Sequence, residues 1–291
     1  MRAWPPRVIT WHRVVALVLG VASGTLPALA GGPAFALMGL AVAAIYYAVA
    51  TARYRARRRL LASPTPEAMK QRLERHVSYY RRLTPEGRRR FEDDVRIFLA
   101  EQTIVGAADA RVGEEARLLI AASAAMLSHG LPDWEWPRRR DVVVFPRAFD
   151  DRYDHDGARG DVAGQVHQRG PVIFSQEDLL GGFARAGDGH NVGLHEMAHV
   201  IDLEDGAGDG VPADLPWSMA GPWVEVVSRR LERLRKKRGS VLRAYAATNE
   251  AELFAVAVET FFEQPDRLEK ADPTLFGLLR DYFQQDPRRP S

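Results

Sequence analysis

The sequence predicts a mostly helical α+β domain with a small β-sheet, preceded by an N-terminal transmembrane helical hairpin. Two observations lead to this prediction. Beyond position 66 most apolar residues recur at helical spacing, and only two short runs, 142–145 and 172–175, are continuous and rich in β-branched residues. The segment 14–52 contains no charged residue, a property of membrane spans and of signal sequences.

Charge is divided unevenly along the 291 residues. Residues 1–60 hold eight arginines and no acidic residue, whereas the remainder holds 32 basic and 38 acidic residues. The basic excess therefore belongs to the flanks of the apolar segment, and we expect no nucleic-acid partner. The chain contains no cysteine, which excludes disulfides, thiolate metal ligands and a cysteine nucleophile.

The apolar segment is predicted to cross the membrane twice. It is 39 residues long, whereas one span needs about 20. Ala30-Gly31-Gly32-Pro33 has the composition of a turn, so the predicted arms are 14–30 and 34–52. Arginines on both flanks place the rest of the chain on the cytoplasmic side of the inner membrane. The alternatives are a signal sequence cleaved after Ala28-Leu29-Ala30 and a cytoplasmic protein.

Domain boundaries follow from these features. Residues 1–60 form the predicted anchor, 61–69 the linker, and 70–287 the main domain. Helices are predicted at 69–82, 85–101, 113–127, 191–201, 223–238, 250–263 and 273–283, and a polar loop at 150–170, between the two predicted strands.

One pentapeptide carries the strongest chemical signal. His195-Glu196-Met197-Ala198-His199 is an H-E-x-x-H sequence in a segment with apolar flanks. Residues four apart share one face of a helix, so both imidazoles can bind one metal ion. Zinc suits such ligands, and Glu196 is placed to take a proton from a metal-activated water. Asp154-His155-Asp156 is expected to be a solvated loop, and His190 to be structural.

A catalytic zinc site needs a third protein ligand. The later segment 249–259 offers Glu252, because acidic residues in an otherwise apolar helix are costly unless partnered. The alternative for Glu252 is a capping box with Asn249. Asp205 stands where another class of zinc peptidase has its third histidine and is a second candidate. Glu259 is predicted to support a ligand or to be paired in the core.

Several ordered blocks of sequence resemble the Mlc titration factor A family of zinc metallopeptidases. These are 165–175 (QVHQRGPVIFS), 188–202 (DGHNVGLHEMAHVID), 250–264 (EAELFAVAVETFFEQ) and 282–287 (YFQQDP). The resemblance covers roughly residues 70–287.

The resemblance implies a gluzincin-like site with one zinc ion per chain. His195 and His199 match the family's histidine ligands, Glu196 the catalytic base, and Glu252 the glutamate ligand. Tyr245 precedes Glu252 by seven residues, a spacing similar to that of gluzincins in which a tyrosine assists the oxyanion; its alternative is a buried packing residue. Asp202 also matches a family position, where it either orients His199 or merely ends the helix.

The function predicted from these features is zinc-dependent hydrolysis of peptide bonds, with the strand 172–175 pairing with an extended peptide substrate. The alternative is a regulatory protein that sequesters a transcriptional repressor, with zinc mainly structural. The resemblance to the family suggests this alternative, and the predicted membrane anchor would localise a captured partner.

Overall fold

A computed structural model of the chain describes residues 1, 3–31, 34–107, 111–138, 141–148, 164–166, 170–236 and 240–290. The chain divides into two compact units, with the boundary between Pro64 and Thr65. The smaller unit is N-terminal and helical. The larger unit contains the sheet and the remaining helices.

The smaller unit consists of helices α1 (Pro6–Gly31), α2 (Ala34–Ala50) and α3 (Ala52–Leu61). Helix α1 begins eight residues before the predicted arm, because the uncharged and basic residues ahead of Val14 also continue the helix. Helix α2 ends at Ala50, two residues before the end of the predicted arm, and a 48° bend separates it from α3. Gly32 and Pro33 of the predicted turn lie outside the described residues.

Helices α1 and α2 pack together through glycines. A Cβ atom built on Gly39 would overlap the backbone of Gly20 and Gly24, so only glycine allows this approach. The outward faces are apolar: Leu37 is 70% exposed and Val49 71% exposed. By length and composition the described part of α1 can cross a membrane, and α2 passes the same test only together with α3.

The larger unit contains one four-stranded sheet. Its strands are β1 (Ile104–Gly106), β2 (Val142–Phe145), β3 (Gly164–Val166) and β4 (Val172–Ser175). Their order is β1-β2-β4-β3, with β3 antiparallel to β4 and the other pairs parallel. Strands β2 and β4 have the predicted bounds. The predicted loop 150–170 is wrong at 164–166, because pairing with β4 turns three residues of weak strand propensity into a strand.

Ten helices of the larger unit are described, together with a short 3₁₀ helix at Ala244–Ala247. They are α4 (Glu67–His76), α5 (Ser78–Arg82), α6 (Pro85–Glu101), α7 (Glu114–Ser128), α8 (Gln176–Ala184), α9 (Val192–Asp202), α10 (Trp217–Arg235), α11 (Glu250–Glu263), α12 (Pro265–Ala271) and α13 (Pro273–Phe283). The mostly helical α+β prediction is therefore confirmed. The predicted helix 69–82 is divided at Val77, whose backbone is extended. The predicted helix 223–238 begins earlier, at Trp217.

Helix α7 is the centre of the core, and α9 packs directly against it. Twelve of the 15 residues of α7 are buried. The contact is close where Gly193 of α9 meets Ser123 of α7, since a Cβ atom on Gly193 would overlap the Ser123 hydroxyl. Helix α11 covers α9 from another side and contributes buried aromatic rings, including Phe254 and Phe261, to the same core. This packing fixes the position of the helix that carries the H-E-x-x-H sequence.

Substitution of Gly193 is expected to test this contact. Gly193→Ala should lower the free energy of unfolding by about 1–3 kcal/mol, because the new methyl group is forced into a packed core. The measurement is urea unfolding. Gly277→Ala is the matched control, because nothing lies within 4 Å of a Cβ atom at this position in α13. It should instead stabilise the chain by about 0.5–1 kcal/mol. Equal effects of both substitutions would contradict the close approach of α9 and α7.

Candidate metal centre

The start of helix α9 is fixed by Asn191. Its side chain accepts a hydrogen bond from the Leu194 amide at 3.2 Å, as an N-cap does. Its own backbone amide donates to Glu259 Oε2 of α11 at 2.8 Å. One residue therefore both begins the helix and connects it to α11. Because of this, His195 and His199 face α11 from one side of α9, one helical turn apart.

Three predicted ligands come together at this contact. Nε2 of His195 lies 3.0 Å from Glu252 Oε2, and Nε2 of His199 lies 3.5 Å from the same oxygen. The two Nε2 atoms are 3.2 Å apart. The candidate ligand atoms of all three residues lie within 4.8 Å of one another. We call His195, His199 and Glu252 the metal cluster.

Asn249 caps α11, but Glu252 does not complete a capping box. Asn249 Oδ1 accepts a hydrogen bond from the Glu252 amide at 2.8 Å. The Glu252 carboxylate is directed instead toward the two imidazoles. The sequence left both roles open for Glu252, and the structure places its carboxylate with the histidines.

The cluster fits a zinc ion. Two imidazole nitrogens and one carboxylate oxygen converge, which is the donor set of His₂Glu zinc sites. Glu252 Oε2 is buried and faces these two imidazoles, and the Tyr245 phenol is a further hydrogen-bonding neighbour of the Glu252 carboxylate. Burial alone would raise the pKa of the Glu252 carboxyl, but hydrogen bonds with His195 and His199 lower that pKa well below its usual range. The carboxylate therefore stays charged, as a metal ligand must.

An outer layer of partners surrounds His195. Its Nδ1 lies 2.6 Å from Glu259 Oε1, and Glu259 is only 1% exposed. The same oxygen is ion-paired with Arg243. A carboxylate on the far nitrogen of a ligating histidine fixes the ring and its tautomer. The prediction for Glu259 agrees with this placement, whereas nothing in the sequence pattern singled out Arg243.

Asp202 and Asp205 are not among the three residues of the cluster. Asp202 is buried and accepts a hydrogen bond from the Gly210 amide at 2.8 Å. Among the described residues it makes no hydrogen bond with His199, so it ties down the following loop; burial raises its pKa to about 7. Asp205 is exposed and bonds the Ala207 amide, so the alternative of Asp205 as third ligand is wrong. Asp154-His155-Asp156 lies outside the described residues.

Glu196 is buried beside the cluster. Its Oε2 has no hydrogen-bond partner among the described residues. Burial raises the pKa of Glu196 to about 7, although the two histidines act to lower it. Strand β3 covers this carboxylate so closely that a Cβ atom on Gly164 would overlap it. A carboxylate with a pKa near neutrality and a free oxygen is suited to accept and release a proton.

Two cavities meet at Glu196. One has a volume of about 390 Å³ and is also lined by Arg243 and His190. The other has a volume of about 370 Å³ and is also lined by Leu203. His195, Gly164 and Tyr245 line both. An extended ligand therefore has room on both sides of the cluster.

Tyr245 borders the cluster from the 3₁₀ helix. Its ring centre lies 6.0 Å from that of His195, and the residue is 51% exposed. The alternative of a buried packing tyrosine is therefore wrong. Burial of the phenol and the negative charge of Glu252 raise the pKa of Tyr245 to about 12, so the hydroxyl remains a hydrogen-bond donor at neutral pH.

An H-E-x-x-H helix that presents two imidazoles to a glutamate of a second helix defines the class of metal-dependent hydrolases. Comparison with known proteins gives the family. The chain belongs to the family described as glucose-regulated metallo-peptidase M90, which matches residues 51–284.

Curated relatives agree with this family. The chain is 31% identical to the uncharacterized protein slr2042 of Synechocystis over 79% of this chain and 88% of the relative. It is 28% identical to Mlc titration factor A of Klebsiella pneumoniae over 70% of this chain and 82% of the relative. It is also 31% identical to Mlc titration factor A of Edwardsiella ictaluri, over 43% of this chain and about half (49%) of that protein. The predicted resemblance is confirmed.

Metal content tests the three ligands. The wild-type chain is expected to hold about one zinc ion, and Glu252→Ala should lose it because two imidazoles alone do not complete the site. Elemental analysis of purified protein is the measurement. Glu250→Ala is the matched control, since Glu250 is exposed in the first turn of the same helix. Full zinc content in Glu252→Ala would show that this glutamate is not a ligand.

Proposed function

We propose that the chain is a zinc-dependent peptidase with a gluzincin-like site held by His195, His199 and Glu252. The observation that carries this proposal is the buried Glu196, whose Oε2 has no hydrogen-bond partner among the described residues, directly beside a cluster that fits zinc. A purely structural zinc site has closed coordination and no need of such a group. When bound there, zinc supplies Lewis acidity that activates water and polarises a peptide carbonyl.

The protein's own residues account for the proton transfers. Glu196 accepts a proton from the attacking water and returns it to the leaving amine. Burial raises the pKa of the Glu196 carboxyl, which makes its carboxylate a better proton acceptor than an exposed one. Tyr245 retains its hydroxyl proton at this pH, and we assign it the hydrogen bond to the developing oxyanion.

Strand β3 is better placed than β4 to bind the peptide. The prediction that the strand 172–175 pairs with substrate is wrong, because β4 lies between β2 and β3 and both of its edges are used. Among the described strands, β3 is at the end of the sheet order, and it lies against Glu196 through Gly164. We propose that an extended peptide adds to the sheet along β3.

A regulatory binding role is the second candidate. Relatives carry the name Mlc titration factor A, which favours capture of a transcriptional repressor, with zinc mainly structural. In that case the Glu196→Gln variant retains the partner in a pulldown, and removal of the metal abolishes binding of the partner. If the partner is a peptidase substrate instead, it is cleaved by the wild type.

We also propose that the smaller unit anchors the chain in the inner membrane, with the larger unit in the cytoplasm. The support comes from the exposed apolar faces of α1 and α2, their close glycine contact, and the arginines on both flanks. Exposed apolar faces of this kind are unfavourable in water but favourable in lipid. The basic helix α3 then follows at the cytoplasmic surface, where anionic lipids attract arginine.

Removal of the proposed base should abolish hydrolysis without loss of metal. We expect Glu196→Gln to cleave peptides at least about 100-fold more slowly, because the amide cannot accept the proton of the attacking water. The rate is measured on a mixture of synthetic peptides, with elemental analysis of zinc in the same preparation. Glu250→Gln serves as the control on an exposed carboxylate. A Glu196→Gln variant as active as the wild type would refute this mechanism.

Fractionation tests the anchor. After an alkaline carbonate wash the full-length chain should stay in the membrane pellet, whereas residues 65–291 alone should be in the supernatant. Intact mass distinguishes the signal-sequence alternative, because cleavage after Ala30 removes the first arm. A full-length chain in the supernatant at its complete mass would exclude the anchor.

A further inference from the structure

Arg243 contacts two groups around the metal cluster with one guanidinium. It is ion-paired with Glu259, and its guanidinium carbon lies 5.8 Å from the centre of the Tyr245 ring. We propose that Arg243 is a positioning residue that holds Glu259 against His195 and Tyr245 beside the cluster. This proposal rests on the proposed peptidase function and deepens it, since one side chain then sets the orientation of a metal ligand and of the oxyanion donor.

The hold on Glu259 follows from its burial. Glu259 is 1% exposed, and a buried carboxylate is costly unless it is paired and hydrogen-bonded. Its Oε2 accepts the Asn191 amide, and its Oε1 faces both His195 Nδ1 and Arg243 Nη2. Arg243 Nη2 also lies 3.4 Å from His195 Nδ1. The guanidinium therefore lies at the Glu259 oxygen that orients His195. Removal of the guanidinium is expected to move that oxygen.

The hold on Tyr245 follows from the exposure of that residue. Core packing does not fix a side chain that is 51% exposed. The His195 ring lies on one side of its ring and the Arg243 guanidinium on another, while its phenol interacts with the Glu252 carboxylate. Stacking on a cation orients an aromatic ring. Since Arg243 precedes the 3₁₀ helix that carries Tyr245, the chain brings both side chains to the same edge of the cluster.

Arg243 itself depends on these two contacts for its position. Its side chain is 31% exposed and lines the cavity of about 390 Å³. Its Nε is buried and has no hydrogen-bond partner among the described residues. Lysine at this position would keep the charge but lose the planar group that reaches Glu259 and stacks on Tyr245 together.

The experiment compares full-length variants that separate charge from geometry. Arg243→Met and Glu259→Gln should each weaken zinc affinity about tenfold or more in a chelator competition, as outer partners of metal ligands do. The double variant should bind zinc no more weakly than the weaker single variant, because both changes remove one link. Arg229→Met, on an exposed arginine of α10, is the control and should bind zinc as the wild type does.

Arg243→Lys distinguishes a positioning role of Arg243 from an effect on stability alone. Arg243→Met should lower the melting temperature. Arg243→Lys should restore it, because the charge on Glu259 is again balanced. The visible absorption of its Co²⁺-substituted form should nevertheless shift from that of the wild type, because the ligand is no longer held. A wild-type Co²⁺ spectrum in Arg243→Lys, unchanged zinc affinity in Arg243→Met, or fully additive losses in the double variant would each overturn the proposal.

The effect through Tyr245 is measured as turnover. Arg243→Met should lower kcat on a cleaved peptide more than Glu259→Gln does, and this excess should vanish in a Tyr245→Phe background. If the whole additional loss of kcat persists in the Tyr245→Phe background, the proposal that Arg243 positions Tyr245 is overturned. A wild-type chain that binds zinc but cleaves no peptide overturns the peptidase function alone, since zinc affinity and the Co²⁺ spectrum still decide on Glu259. A wild-type chain without zinc affinity overturns both.

Discussion

The contact between α9 and α11 concentrates charge on side chains that are largely buried, and the surrounding structure keeps this arrangement stable. Glu196, Glu252 and Glu259 meet His195 and His199 there. His195, Glu196 and Glu259 are buried, and the side chains of His199 and Glu252 are only 12% and 16% exposed. Buried charge of one sign is strongly unfavourable unless the other sign lies within bonding distance. Two helices that carry such residues therefore tolerate only a narrow range of separations and rotations.

The core satisfies this demand with rigid parts. Helix α7 is almost entirely buried and meets α9 where Gly193 lies against the Ser123 hydroxyl, so a side chain at position 193 would force the two helices apart. The amide of Asn191 then fixes the outer carboxylate relative to the start of α9. The rigid core and the charged cluster constrain the same helix from opposite sides, which is the condition for a preorganised site.

The sequence predicts those parts of the site that depend on local spacing. The two histidines and Glu196 lie within five residues on one helix, and the cost of a carboxylate in an apolar helix identifies Glu252 and Glu259. Arg243 escapes such reasoning, because it reaches His195 across 48 residues of sequence from a segment without periodicity. Zinc as the metal, peptide hydrolysis and the roles of these residues remain predictions.

The same limit applies to the fold. The long helices α6, α11 and α13 have the predicted bounds, since their periodic apolar residues determine them locally. Strands β1 and β3 have three residues each and exist through their pairing with β2 and β4. Helix α8 was not predicted either, because its nine residues are too few to show a clear period. Elements of this size depend on contacts that only the folded chain supplies.

The attachment of Gly210 has a consequence for divergence among relatives. Its amide bonds Asp202, its carbonyl accepts the Trp223 indole at 2.8 Å, and its φ of +76° with the Glu250 backbone in contact excludes a side chain. The segment between Asp202 and Trp223 is thus held at Gly210, and also at Ala213, whose amide bonds the Ile201 carbonyl, and at Asp214, which accepts the Tyr282 hydroxyl. At its exposed positions, such as 204–207, we expect substitutions to leave the histidine helix undisturbed. Natural selection can therefore reshape the mouth of this site independently of its metal chemistry.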